Sequence, residues 1–367
     1  MSTLSFDLVE QILCRLPVKS LLQFQCVCKS WKSLISDDPK FIKKHLQMSL
    51  SCPVQSHHHL IFKSSTGKVV EYLDSSISSI FNTVSKSIIT PMKLRYPSIL
   101  KDLSFEFVGS CHGIICASIP HYVLFWNPSI QKLKISPNLD ASIYKTMYGF
   151  GYDRCNDSYK VVAIFCYDNG KTKVNVHTMG TNCWRKIQEF PFGSVPVGES
   201  GKFVNGTVNW LASGNENGIR LISSSSIVSL DLGNECYRMI LQPDYGDVSV
   251  FSLSLGELRG CLCIFAYGKS SVNVWIMKEY GNNESWNKLL TIPFIEDFVG
   301  LLYTFTKVVY IYEDEQVLLV SRAKDTLKSK LVVYDSKRDT FKFPEIENIS
   351  NRMVPTIYVE SLITTCS

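Results

Sequence analysis

The chain contains no Cys-x-x-Cys pair, no Gly-Gly pair, no Trp-Asp dipeptide and no run of eighteen apolar residues. Each absence excludes something. Lacking a long apolar run, and lacking an apolar stretch near its N-terminus, the sequence predicts neither a membrane span nor a secretory leader; the expected location is cytoplasmic and/or nuclear. Off a secretory route the Asn-x-Ser/Thr sequons at Asn156, Asn205, Asn283 and Asn348 mean little. The thirteen cysteines are odd in number, and Cys26/Cys28 and Cys261/Cys263 sit inside apolar runs. They are expected to stay reduced, as small buried hydrophobes without zinc.

Signatures of catalysis are missing too: no glycine-rich phosphate loop, no nucleophile elbow and no His-Glu-x-x-His helix occur. Gly198-Glu199-Ser200-Gly201-Lys202 has the wrong glycine spacing for a phosphate loop and reads as a turn. In His57-His58-His59, three successive residues cannot all face one ion, and no acidic or cysteine ligand stands at helical spacing nearby. Cys111-His112 resembles a thiol and base pair, but neighbouring side chains of a strand point to opposite faces. No catalytic residue, cofactor or metal is expected. Residues 1–50 hold seven Lys/Arg against four Asp/Glu. That bias suits an acidic protein partner or a mildly basic solvated face, and is too small for a nucleic-acid footprint. Lys40 to Lys44 lacks interleaved aromatics and reads as a solvated helix face.

What is present divides in two. Leu8, Val9, Ile12, Leu13 and Leu16 fall on one wide face at the helical period. Pro17 stops that helix at Leu16, and Leu21, Leu22, Phe24 and Val27 restart the pattern. A third segment carries Trp31, Leu34 and Ile35. Asp38-Pro39 reads as an N-cap followed by proline at the first helical position, opening a helix through Phe41, Ile42 and Leu46. Some fifty residues with surplus apolar positions need something to cover them, either the adjoining domain or a partner.

From residue 60 onward no helical period persists; short runs of Val, Ile, Phe and Tyr alternate with Gly, Asn, Asp and Pro clusters. The texture is all-β. Gly113, Gly206 and Gly260 each precede an apolar strand, and each is followed by a strand, polar turn and strand. Those hairpin segments begin near Val123, Val174, Val228, Val272 and Val332, with a poorer copy from Leu60, at spacings of 44 to 63 residues. A repeat near fifty residues built of short strands predicts a propeller, about six blades with seven as the alternative. Trp126, Trp184 and Trp286 recur in the hairpins, either filling wedges between blades or as ordinary strand residues. The strand-like ending MVPTIYVESLI is expected to pair with the first blade and close the ring.

These residues carry two resemblances. RLPVKSLLQFQCVCKSWKSLI, within residues 4 to 46, resembles an F-box, although the family's usual opening Leu-Pro is here Leu4-Ser5. Ser5 can still cap the first helix through its hydroxyl. GSCHGIICAS, VLFWNPSIQKLKISP, YGFGYD, DSYKVVAIF, KFVNGTVNWLAS and YVESLI resemble, in order, the landmarks of the F-box-associated kelch-like domain of plant F-box proteins. The implied fold is mainly β: a three- to four-helix F-box at 1–50, then a kelch-like β-propeller at 51–367. The resemblance implies a non-catalytic substrate receptor of an SCF-type ubiquitin ligase, binding a Skp-type adaptor and through it a cullin, while the propeller holds an unidentified target protein. A non-ligating adaptor-binding or scaffold protein is the alternative. By position, the implied adaptor contacts are Leu4, Leu8, Ile12, Leu16, Pro17, Leu21, Leu22, Val27 and Trp31. For the target, composition points to loops Tyr167 to Thr172, Asn215 to Arg220 and Asp244 to Asp247.

Overall fold

The computed structural model describes residues 5–51, 57–66, 69–82, 88–94, 105–139, 145–167, 170–191, 193–214, 226–246, 249–296, 302–312, 315–323, 329–347 and 355–365. Four helices come first: α1 (Phe6–Leu13), α2 (Val18–Phe24), α3 (Lys29–Asp37) and α4 (Pro39–Ser51). Ser5 caps α1, its hydroxyl accepting from the Leu8 N–H. Asp38 caps α4, accepting from the N–H groups of Lys40 at 2.8 Å and Phe41 at 3.1 Å. The first helix ends at Leu13, three residues earlier than the proline alone predicts. Cys14 closes it instead, its N–H bonding to the Glu10 carbonyl, and Pro17 serves as the N-cap of α2.

Among the described residues the strands form one eight-stranded, one five-stranded and three four-stranded sheets. The eight-stranded sheet joins only at a parallel bridge between Gly149 and Gly201, and dividing it there leaves six antiparallel meanders. These are the blades. Val123, Val174, Val228 and Val272 each mark the third strand of a successive blade from the second to the fifth, and Val332 lies in the fourth of the five strands of the sixth. Leu60 falls in the second strand of the first blade, because that blade takes its innermost strand from the far end of the chain. Pro355–Val359 pairs antiparallel with the strand from His58, in register from His58 opposite Val359 to Phe62 opposite Pro355. The expected ring closure is therefore present.

The three marker glycines are turn residues. His112-Gly113, Asn205-Gly206 and Arg259-Gly260 each join the first and second strands of a blade with both φ angles positive, φ 52° and 83° in the first case. This is the mirror-type hairpin turn, whose second position a glycine occupies without strain. The strand after each turn is buried on both faces, as the continuous apolar runs require.

Among the described residues no single central core forms. Apolar clusters fill all six wedges between neighbouring blades. Trp126 lies in the wedge between the first and second blades, Trp184 between the second and third, and Trp286 between the fourth and fifth. The indole N–H of Trp184 donates to the Pro137 carbonyl and that of Trp286 to the Leu241 carbonyl, both at 3.0 Å, each pinning an outer hairpin to the chain leaving the preceding blade. The wedge-filling alternative thus holds for these tryptophans.

Gly198-Glu199-Ser200-Gly201-Lys202 is not a turn between strands. It is an irregular stretch inside the innermost strand of the fourth blade (Ser194–Val204), where the register shifts between Val197 and Lys202. The shift brings Glu199 within 2.7 Å of Lys307, on the second strand of the sixth blade, and 3.2 Å from Lys202. Burial works against this carboxylate, but the two ammonium groups hold its pKa down at about 2. A Cβ on Gly201 would stand 2.5 Å from the ring of Trp210 in the next strand of its own blade, and one on Gly149, opposite it in the third blade, 2.6 Å from the same ring, so the bridge between the two blades admits only glycine.

The segment after the closing strand is fixed by Asn127, which is fully buried. Its side-chain amide donates to the Ser361 carbonyl at 3.0 Å, the Ser361 hydroxyl at 3.1 Å and the Ile363 carbonyl at 2.8 Å. Asn127→Ala strands these acceptors in a dry site and should destabilise the fold by about 2–3 kcal/mol. Urea denaturation checks this; an unchanged midpoint would show that the ring closes without that anchor.

Candidate functional site

The helical module carries two surfaces. Leu13, Cys14, Val18, Leu21, Leu34, Ile35 and Phe41 bury inward, and the same cluster takes in Leu362 from the C-terminal segment, with Ile130 of the second blade packed against it. The boundary at residue 50 is thus a boundary in sequence that the packing crosses. On the outer side Leu8, Ile12 and Val27 are 48, 54 and 60 % exposed, with Phe6 beside them in α1 at 49 %. Exposed apolar side chains this large, on a small module already joined to its own domain, mark a surface for a protein partner.

Of the adaptor contacts expected from sequence, Leu8, Ile12, Pro17 and Val27 lie open, and Leu16, Leu22 and Trp31 are half-buried. Trp31 packs edge-on against Phe24 at 5.8 Å between ring centroids, so it serves the module's core as well. Leu4 lies outside the described residues. Leu21 is a correction: at 0 % exposure it belongs to the module's own core and offers no surface. The helical period alone could not separate it from Leu22, because α2 is apolar at both positions.

A chain of polar contacts that the sequence does not reveal joins the module to the propeller. Glu360, directly after the closing strand, accepts the Val18 N–H at 3.3 Å. It stands 3.7 Å from His57 Nδ1 and 3.6 Å from His59 Nε2. His59 Nδ1 lies 3.0 Å from an Asp74 oxygen, and Tyr358 donates to Asp74 at 3.3 Å. On the helical side the buried His45 ring packs edge-on against His57, and its Nε2 lies 2.9 Å from the Leu16 carbonyl. At the rim Lys43 pairs with Asp157 at 2.6 Å, and Lys44 with Glu10 at 2.8 Å. The basic run Lys40 to Lys44 is thus partly a docking edge, although such exposed pairs add little stability.

The histidine triplet separates in this setting. His57 faces Glu360 and His45, His58 Nδ1 is 2.8 Å from the Tyr310 hydroxyl, and His59 sits between Asp74 and Glu360. Among the described residues no group of three potential ligands could hold a metal ion. Burial pushes the His58 pKa down to about 4. At Cys111-His112, burial raises the thiol pKa and lowers that of the imidazole to about 4, so neither group is poised for nucleophilic work.

The helices touch one end of the propeller. Ile130 lies in a third-to-fourth turn, Asp157 in a first-to-second turn, and Glu360 at the exit of the closing strand. In antiparallel meanders, second-to-third turns and crossings to the next blade issue from the other end. Tyr167 to Thr172 and Asp244 to Asp247 belong to those two kinds of connection. Asp168, Asn169, Asn215 to Arg220 and Asp247 lie outside the described residues.

Comparison with known proteins agrees with this division. Residues 57–365 match the F-box associated beta propeller domain and residues 1–43 the F-box domain. The chain belongs to the F-box proteins with an F-box-associated β-propeller. It is 31% identical to an F-box/kelch-repeat protein of Arabidopsis thaliana over 98% of this chain and 95% of the relative. It is 27% identical to the Arabidopsis F-box protein CPR1 over 100% of this chain and 90% of that one. Among solved structures, AofleA from Arthrobotrys oligospora aligns with a TM-score of 0.43 at 10% identity, covering 84% of this chain and 87% of its own.

The docking network has a pH signature. Burial disfavours a charged His59, but its bond to Asp74 and the charges of Asp74 and Glu360 raise its pKa overall. That contribution is complete below the unfolded value of about 6.5 and is lost as pH rises through the folded pKa. His45 runs the other way: burial lowers its pKa, so its contribution stands above about 6.5 and fades as pH falls through the lowered value. The stability difference between the protein and its His59→Gln variant should therefore shrink as pH rises above about 6.5, and that for His45→Gln should grow over the lower part of the range. Melting curves at stepped pH read both slopes; parallel curves for His59→Gln would remove the charged histidine from the docking network.

Proposed function

We propose that this protein is the substrate-receptor subunit of an SCF-type ubiquitin ligase, acting in the cytoplasm or nucleus. The observation that carries the reading is the exposed apolar row Leu8, Ile12 and Val27 on a helical module whose other side is already seated on the propeller. A Skp-type adaptor would cover that row, with Leu16, Pro17, Leu22 and Trp31 at its margin, and would connect the chain to a cullin. The propeller would hold the target protein. Catalytic chemistry would reside in other subunits: this chain raises the effective concentration of a target lysine near a charged conjugating enzyme, which needs geometry and no reactive side chain.

Leu16 and Pro17 are central in the sequence motif, but the Leu16 side chain also packs against the module's own core, so replacing the pair disturbs that core as well as the adaptor face. Ile12→Asp is the cleaner probe. It should weaken adaptor binding by more than about 2 kcal/mol while leaving the melting temperature in place. Titration calorimetry against a Skp-type adaptor reads the first and a thermal melt the second. Unchanged affinity would remove the docking assignment. Intact adaptor binding with no ubiquitin transfer to a propeller-bound protein would make the chain a scaffold.

A further inference from the structure

The connection from the fourth blade to the fifth encloses a cavity of about 320 Å³ against the outer hairpin of the fifth blade. Its lining is Asp244, Tyr245, Gly246, Asn273, Trp275 and Lys288. The volume lies at the lower end of the range that small-ligand and side-chain pockets occupy, about 300–1,000 Å³. We propose that this cavity is a docking site for an extended peptide segment bearing a large apolar side chain. The inference rests on the receptor reading above and names where on the propeller a target would be held.

The chemistry follows from what the lining leaves unused. Trp275 and Lys288 face each other across the two strands of the hairpin, next to a register shift between Val274 and Trp275. Such bulges re-aim side chains out of the ladder. The Trp275 indole N–H is buried and has no acceptor. That nitrogen is sealed from solvent, as is the one of Trp126, so neither is within reach of a ligand. Lys288 is exposed and has no ion-pair partner among the described residues. Its ammonium is therefore the donor that an incoming carbonyl can meet.

The opposite polarity is present as well. One oxygen of Asp244 accepts the Gly246 N–H at 2.9 Å, which sets the loop's shape and leaves the second oxygen for an incoming N–H. A donor on the hairpin and an acceptor on the connecting loop match the paired C=O and N–H of a peptide group. A single anion or cation would meet one favourable charge and one opposing charge. Tyr245 stands edge-on to Trp275 at 5.9 Å between centroids, its hydroxyl donating to the Gln242 side chain at 2.9 Å, so both rings are oriented before any ligand arrives. Aromatic walls held in this way favour an apolar side chain at low ordering cost. Met239, Leu241 and Phe251, which flank this connection in sequence, are 43, 57 and 60 % exposed.

The test uses the full chain and a positional-scanning library of acetylated hexapeptide amides. Pools with Phe, Leu or Met fixed at one position should be retained above the pools with Ala fixed. Trp275→Leu, which removes one aromatic wall, and Lys288→Ala, on the exposed outer strand, should each weaken retention at least tenfold. Adaptor affinity is measured on the same samples. Apolar pools no better than Ala, or equal retention by wild type and the Lys288→Ala variant, overturns the proposal while adaptor binding persists. Failure of the receptor reading is a different result, the absence of adaptor binding by the unaltered chain.

Discussion

Everything in this molecule depends on eight residues near its C-terminus. Pro355–Val359 supplies the innermost strand of the first blade, Glu360 takes the Val18 N–H, Ser361 packs on the Gly113 turn, and Leu362 enters the helical core. The Ser361 hydroxyl also donates to the His112 carbonyl at 2.7 Å, which ties the turn of the second blade to the strand that closes the first. One segment therefore performs two closures, of the ring and of the joint between its two parts. An open ring would leave two sheet edges and two apolar blade flanks in water. Here the same residues that cover those edges also complete the helical module, so an opened ring would uncover part of the module's core as well.

The six wedge clusters explain why that closure matters everywhere. Each cluster is built from two blades, so each blade is stabilised only when both neighbours are present. The joint near the C-terminus lies between the clusters that the first blade shares with the sixth and the second. Glu199 adds a contact of another kind, tying the fourth blade to the sixth through Lys307 rather than through any wedge. Both side chains of that pair are exposed, so it links the two blades while adding little stability.

Local features of this architecture were legible in the sequence because they are periodic or chemically forced. Blade repeats showed as recurring apolar strands, and the first turns of the second, fourth and fifth blades showed as glycines, since a mirror-type turn needs positive φ at both positions. The third blade escaped that signal. Its first turn uses no glycine: Asp153 accepts the N–H groups of Cys155 at 2.9 Å and Asn156 at 3.2 Å, and Asp157 takes φ 47°. On the helical module, Leu8 and Ile12 were legible as apolar surplus, but Leu21 against Leu22 was not, because only packing decides which of two adjacent apolar residues faces inward. Least legible was the docking joint. Val18 and Glu360 are 342 positions apart, and neither a carboxylate near the end of the chain nor a histidine in α4 has any period to betray it.

That joint also bears on how such a protein could work. A receptor that only tethers its target by a flexible linker gains effective concentration that falls as the linker lengthens. Here α4 ends at Ser51 and the first propeller strand begins at His58, and across that short interval the module is held by Leu362, Glu360, His45 and Lys43 as well. The two binding surfaces are therefore fixed in orientation as well as in distance. A rigid bracket favours lysines within one narrow zone and disfavours the rest, because productive transfer requires near-attack geometry. On this argument selectivity would arise in two places, in which segment the propeller holds and in which lysine that grip presents, and only the first depends on residues that contact the target.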